Sequence, residues 1–181
     1  MKVDIFNTDK KYNIIYADPP WSYRDKAQAG KRGACFKYPV MNLQDISNLP
    51  IKQLAEEHCV LFLWVTMPML KEGLQLIEKW GFTYKTNAFT WVKTNKNSNT
   101  LFWGMGNWTR AKAELCLIAT KGKPKRIAAN IHSVVMTPVE QHSKKPDEVR
   151  ERIVKLCGDC LRIEMFARKQ VDGWDCWGNE V

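Results

Sequence analysis

The sequence contains no long apolar run. Nothing in its 181 residues approaches the roughly 18 consecutive apolar residues of a membrane-spanning helix. The opening stretch, MKVDIFNTDKKY, has no apolar core of signal-peptide length, so a cytoplasmic protein is expected. Linkers, internal repeats and low-complexity tracts are also missing, and residues 1–181 are expected to form one domain. Acidic residues are the minority charge, with 19 Asp and Glu against 28 Lys and Arg and a net charge of +9. That imbalance favours a polyanionic partner such as nucleic acid, although an ordinary basic protein would show it too. The six cysteines come without a secretion signal, which argues against a disulfide framework. Cys59 and Cys116 sit inside apolar runs and read as small core residues. Cys157 and Cys160 form a single CxxC with no second pair of ligands, so no metal is expected and the pair reads as a turn between a helix and a strand.

What the chain does have is short apolar runs separated by amphipathic ones. Tyr12–Ala17, Cys59–Thr66, Asn87–Lys93, Ala113–Thr120 and Leu161–Ala167 read as strands. Several are continuous in hydrophobicity, as buried parallel strands are. In MLKEGLQLIEKWGF, Leu70, Leu74 and Ile77 share a helical face and Gly81 follows as a stop. In KPDEVRERIVKLCG, Val149, Ile153 and Leu156 share a face. Pro146 suits its first turn, Asp147 and Glu148 suit its positive end, and Gly158 can end it. Strands alternating with helices predict an α/β domain with a mostly parallel sheet. Residues 22–42, 94–110 and 121–146 remain as loops rich in Lys, Arg, Gly or Asn. Long loops in a compact domain are usually functional or disordered, and the aromatics of the first two argue against simple disorder. Of the eight tryptophans most are expected in the core, though aromatic rings also stack on bases.

The first strand ends in Asp18-Pro19-Pro20-Trp21. Ligands of open α/β sheets sit beyond the carboxyl ends of the strands, so the Asp18 carboxylate is placed to face a crevice. The two prolines fix φ and remove two backbone donors. A cup rich in acceptors results, with the Asp18 carboxylate and the Pro19 carbonyl as its polar groups. An exocyclic amine such as adenine N6 offers two N–H donors to such a cup, and Trp21 or Tyr38 can stack on the base. An aromatic amine is a poor nucleophile because its lone pair is delocalised into the ring. Two acceptors on its hydrogens favour a tetrahedral nitrogen and free that lone pair. With an electrophilic methyl in line, catalysis becomes positioning and electrostatics, and no strong base is needed.

Read in order, ADPPW (17–21), YPVM (38–41), LFLWVT (61–66), WVKTN (91–95), GNWTRAKAELCLIATKG (106–122), SKKPDE (143–148), IEMFAR (163–168) and GWDCWGNE (173–180) cover nearly the whole chain. In this order and spacing the sequence resembles the MT-A70 family of S-adenosylmethionine-dependent adenine-N6 methyltransferases. The resemblance implies a Rossmann-like fold with helices on both faces of the sheet and the catalytic motif ahead of the cofactor-binding strand. It implies S-adenosylmethionine as cofactor and S-adenosylhomocysteine as product. Asp18, Pro19, Pro20 and Trp21 match the catalytic tetrad, and Tyr38 matches an aromatic of the first active-site loop. Lys145 matches the lysine that reaches cofactor and substrate, and Arg168 the arginine after the cofactor strand. Asn179 and Glu180 match the pair on the cofactor's ribose and adenine side. The resemblance also offers Asp4 and Gln170 as cofactor contacts, though the spacing and residue types depart from the family there. Arg110 and Glu114 match a frequent Arg…Glu pairing that reads equally well as a structural brace.

Physical chemistry agrees with these roles. Glu180 can accept ribose hydroxyls, and Lys145, just before a helix N-terminus, can pair with the methionine carboxylate. Lys31, Arg32, Lys144, Lys145 and Arg110 are the basic residues expected along the substrate, with loops 22–42 and 121–146 gripping phosphates. The compact chain resembles bacterial and phage members, so DNA is the expected polymer, with the target base flipped out or taken from a single strand. RNA remains an alternative, because the pocket sees the same adenine. So does an inactive nucleic-acid-binding subunit, against which the intact DPPW, SKKP and GNE count. A cytosine-N4 enzyme ranks low, since such enzymes more often begin the motif with Ser. Monomer, homodimer and partnered states all remain open.

Overall fold

The computed structural model describes residues 1–21, 41–102, 108–110, 112–140 and 144–181. Strand β1 (Tyr12–Ala17) is followed by the short helices α1 (Leu43–Ser47) and α2 (Ile51–Leu54), strand β2 (Ala55–Val65) and helix α3 (Leu70–Lys79). Then come β3 (Thr83–Asn95), β4 (Ser98–Leu101), β5 (Ala113–Lys121), β6 (Val134–Pro138), α4 (Glu148–Cys157), β7 (Arg162–Met165) and β8 (Asp175–Trp177). Among the described residues the strands form one eight-stranded sheet ordered β4-β3-β5-β2-β1-β7-β8, with β6 pairing β3.

The apolar continuity of β1 and β2 comes from burial on both faces. Ile15 and Ala17 of β1 pack with Leu61, Leu63 and Val65 of β2 in one core, against Ile46, Leu54, Leu76 and Ile77 of α1–α3. Ile14 and Tyr16 pack with Val60, Phe62 and Trp64 in the other, against Val149 and Ile153 of α4. Successive side chains therefore feed opposite layers, as the pleat requires. Helix α4 ends as its sequence predicts: Gly158, at φ 93°, returns its N–H to the Val154 carbonyl. The CxxC spans this turn, with Cys157 closing α4 and Cys160 just ahead of β7. Cys59 and Cys116 are fully buried. Among the described residues no helix is long and apolar enough to cross a membrane.

The sheet is mixed rather than mostly parallel. β1 runs parallel to β2 and β7, β7 to β8, and β3 to β6. The pairings β2–β5, β5–β3 and β3–β4 are antiparallel. Burial on both faces makes a run continuous whichever way the strand points, so sequence continuity does not report direction. The loops expected over 94–110 and 121–146 contain β4 and β6. β6 alternates, with Val134 and Met136 exposed around a fully buried Val135, which marks a strand with one wet face.

Candidate active site

Strand direction brings the functional residues to one edge of the sheet. Ala17, the last residue of β1, lies opposite Leu63 of β2 and Met165 of β7, and Met165 in turn lies opposite Trp177 of β8. The residues that follow these parallel strands therefore emerge side by side. β5 runs the other way, so its first residues reach the same edge, Leu115 opposite Val65. A cavity opens there, lined by Asp18 to Trp21, Thr66, Glu114, Lys145, Phe166 to Arg168 and Trp177 to Glu180.

Asp18 and Lys145 are 127 residues apart in sequence and meet at the cavity wall. The Lys145 Nζ donates to both Asp18 carboxylate oxygens at 2.8 Å and lies 3.3 Å from Glu114 Oε2. Its side chain is only 9% exposed, while that of Asp18 is 25% exposed, toward the cavity. Lys93 of β3 pairs with the other oxygen of Glu114. Two ammonium groups and two carboxylates thus form one neutral chain. Burial pushes the Asp18 carboxyl above its ordinary value; Lys145 opposes the shift, and Glu114 and Glu164 add to it. Burial works against the charge on Lys145, but Asp18 and Glu114 outweigh it and hold the ammonium above the usual lysine range. Burial likewise opposes the charge on Glu114, but Lys145 and Lys93 outweigh it and hold this carboxyl below its ordinary value.

The motif after Asp18 is stiff. The Trp21 N–H donates to the Pro19 carbonyl at 2.8 Å, closing a three-residue turn, and the Met41 N–H donates to the Pro20 carbonyl at 3.2 Å. A carbonyl oxygen has two lone pairs, so Pro19 keeps one for a ligand. Trp21 is held inward: its indole N–H donates to the Trp64 carbonyl at 3.1 Å and the residue is 4% exposed.

On the far wall Phe166 takes φ 61°, a conformation rare for a bulky residue. Its ring packs edge-on against Trp177 with centroids 5.5 Å apart. Gly178 follows Trp177, and a Cβ there would lie 2.2 Å from the Ala167 carbonyl oxygen and 2.6 Å from its nitrogen. Only glycine lets the two backbones approach so closely. Arg168 Nε donates to Glu180 Oε1 at 2.9 Å, and both side chains are partly exposed at the rim.

These positions sort the residues expected from sequence. Asp18, Pro19, Pro20, Trp21, Lys145, Arg168, Asn179 and Glu180 all line the cavity. Asp4 and Gln170 do not; the Asp4 carboxylate caps its own turn by accepting from the Phe6 N–H at 3.0 Å. Lys144 lies outside the lining and is engaged by Glu140 and Asp147. Arg110 is exposed, and Glu114 pairs with Lys93 and Lys145 rather than as the brace expected with Arg110. Lys145 has Asp18 and Glu114 as its carboxylate partners, where sequence suggested a ligand carboxylate. Tyr38, Lys31 and Arg32 lie outside the described residues. Phe166, Trp177 and Gly178 carry no role in the sequence reading, although they sit within the quoted IEMFAR and GWDCWGNE stretches.

The chain matches the MT-A70 family over residues 12–180. It belongs to that family. It is 36% identical to the type II methyltransferase M.MunI of a Mycoplasma species, over 95% of this chain and 78% of that relative. It is 28% identical to the N(6)-adenosine-methyltransferase MT-A70-like protein of Arabidopsis thaliana, over 99% of this chain and 25% of the relative. Its identity to the human N(6)-adenosine-methyltransferase catalytic subunit METTL3 is also 28%, over 94% of this chain and 28% of the relative. The chain thus spans most of the first relative and about a quarter of the other two. The order of the chain is the one the family's motifs imply, with DPPW directly after β1 and ahead of β7, the strand beside β1.

Proposed function

We propose that this chain transfers a methyl group from S-adenosylmethionine to the exocyclic N6 of adenine in nucleic acid, with DNA as the polymer. One observation carries the reading: Asp18 and Pro19 stand together at the mouth of β1, lining a cavity shared with the ends of β7 and β8. The donor set suits the cofactor. Asn179 and Glu180 supply a polar rim for ribose hydroxyls, and Phe166 and Trp177 supply an apolar wall for the adenine and thioether portions. When bound, the cofactor supplies an electrophilic methyl on a sulfonium centre.

The chain's own residues then hold the acceptor amine. Asp18 accepts one N6 hydrogen, and the remaining lone pair of Pro19 accepts the other. Lys145 fixes the carboxylate plane through both oxygens and favours its charged form against burial. The nitrogen lone pair is thereby directed away from the ring, and its surplus proton is left against the Asp18 carboxylate. Most of the rate enhancement in such a site is orientation. The choice of DNA rests on the likeness to the Mycoplasma type II methyltransferase, which is greater in identity and in shared length than the likeness to the adenosine methyltransferases.

The test is transfer of label from S-adenosylmethionine to matched single-stranded DNA, duplex DNA and RNA, with Asp18→Ala alongside. Label on DNA adenine N6 is expected. Asp18→Ala is expected to abolish transfer while cofactor affinity stays within a few-fold. Label on RNA alone would sink the choice of polymer. Absence of both transfer and cofactor binding would favour an inactive nucleic-acid-binding subunit.

A further inference from the structure

Arg150 is 9% exposed and lies under helix α4. Each of its three guanidinium nitrogens donates. Nε donates to Glu164 Oε2 at 2.7 Å, Nη2 to Glu164 Oε1 at 2.6 Å, and Nη1 to Asp147 Oδ1 at 2.6 Å. The guanidinium carbon lies 5.7 Å from the centroid of the Tyr16 ring. Tyr16 and Glu164 are register partners on β1 and β7. One side chain of α4 therefore grips two central strands at the same level, two residues before Asp18.

A buried ion pair is weak evidence for stability, because apolar side chains of similar volume fill the space as well. What a two-point fork adds is orientation. Val149 and Ile153 bury α4 against the sheet without direction, and apolar contacts alone tolerate sliding. Lys145 precedes α4 by way of Pro146 and Asp147, the residue at the N-cap position, so its backbone is tied closely to the start of the helix. At its far end the ammonium lies 5.5 Å from the centroid of the Trp64 ring. The Trp64 indole N–H donates in turn to the Tyr16 hydroxyl at 2.7 Å. Arg150 and Lys145 thus meet the same Tyr16–Trp64 pair from opposite ends.

We propose that the Arg150–Glu164 pair is a positioning device for methyl transfer: it locks the first turn of α4 onto β1 and β7 so that Lys145 reaches both oxygens of Asp18. This inference rests on the function proposed above, but the placement of Lys145 can be read without activity. Arg150→Lys keeps the charge and loses the fork; Glu164→Gln keeps the shape and loses the charge. Lys155→Ala, exposed on the same helix, is the control. The first readout is the acylation rate of Lys145 by an amine-selective reagent, followed by peptide mass spectrometry. Lys121, whose Nζ donates to the Ala55 carbonyl at the opposite edge of the sheet, serves as reference amine. Lys145 is expected to label several-fold faster in both variants while Lys121 keeps its rate.

The second readout is kinetic. In Arg150→Lys, kcat is expected to fall on the order of 10²-fold with KM for the cofactor unchanged, as for a misplacement of about an ångström. The acid limb of its pH profile should also move. The charged and titratable groups facing Asp18 are Lys145 ahead of α4, Glu114 and Cys116 of β5, and Glu164 of β7. Withdrawing Lys145 leaves the raising influences in place, so Asp18 takes up its proton at higher pH and activity is lost earlier as pH falls. Unchanged Lys145 labelling in both variants overturns the proposal, as does an equal kcat loss in Lys155→Ala. If Arg150→Lys does not fold, Glu164→Gln carries the labelling and the kcat–KM comparison. If the unaltered protein labels no nucleic acid, the functional reading fails, and Lys145 labelling still decides the positioning device.

Discussion

Each charged residue of the site is explained by its neighbours. Lys145 is charged because two carboxylates face it, and Glu114 is charged because two ammonium groups face it. Glu114 is therefore a support for Lys145 as much as a wall of the cavity. Glu114→Gln is expected to lower kcat more than KM, since it loosens Lys145 without touching the rim at Asn179 and Glu180. It should also alter the pH dependence of stability. A carboxyl held below its ordinary value of 4.5 in the fold stabilises the protein fully above that pH and loses its contribution as pH falls through the folded value. Thermal melts should show the unaltered protein ahead of Glu114→Gln at neutral pH, with the gap closing in acid. A gap that does not change with pH would contradict the assignment.

Elements place these residues, and the placement depends on strand direction and on close backbone approach. The contact of Gly178 with Ala167 sets how near the end of β8 comes to the end of β7. Gly178→Ala meets backbone atoms that cannot turn aside, so the two strand ends must part. Calorimetry should find cofactor affinity reduced at least about tenfold, the equivalent of about 1.4 kcal/mol. An unchanged affinity would mean that the rim at Asn179 and Glu180 is not where the cofactor sits. Much of this level is legible from sequence. β1 has the expected bounds, α4 stops at its expected Gly158 although it starts at Glu148, leaving Pro146 ahead of its first turn, and DPPW stands where a parallel strand ends. Three things are not legible. The antiparallel run β2–β5–β3 carries the same continuous hydrophobicity as a parallel one. β8 is three residues long, too short for any period to register. The partner of Glu114 depends on β3 and β5 pairing so as to bring Lys93 beside it, which local spacing around Arg110 does not contain.

At the scale of the whole molecule the question is where the +9 charge lies relative to the cavity. By sequence the basic loops 22–42 and 121–146 are expected to grip phosphates; the first lies outside the described residues, and the second opens with the basic stretch from Lys121 to Arg126. However, β5 ends with Lys121 opposite Cys59, near the start of β2, at the edge away from Asp18. β3 runs the other way, and its hairpin with β4 carries exposed Lys96 beyond the active edge, the edge at which exposed Arg110 precedes β5. If nucleic acid is the substrate, Lys96 and Arg110, at the edge of the cavity, are expected to meet phosphates before Lys123, Lys125 and Arg126 do. Binding of a DNA oligonucleotide should weaken steeply with salt, because each neutralised phosphate releases a counterion. Lys96→Ala with Arg110→Ala should weaken binding uniformly across sequences. It should also reduce the slope of log K against log salt by about 1 for each phosphate no longer neutralised. Replacing Lys123, Lys125 and Arg126 together by alanine should leave both the affinity and the slope nearly unchanged. Titrations at several salt concentrations decide between the two edges. A slope that falls only with the second set would place the nucleic acid on the side of the sheet opposite Asp18, where no adenine could reach the carboxylate.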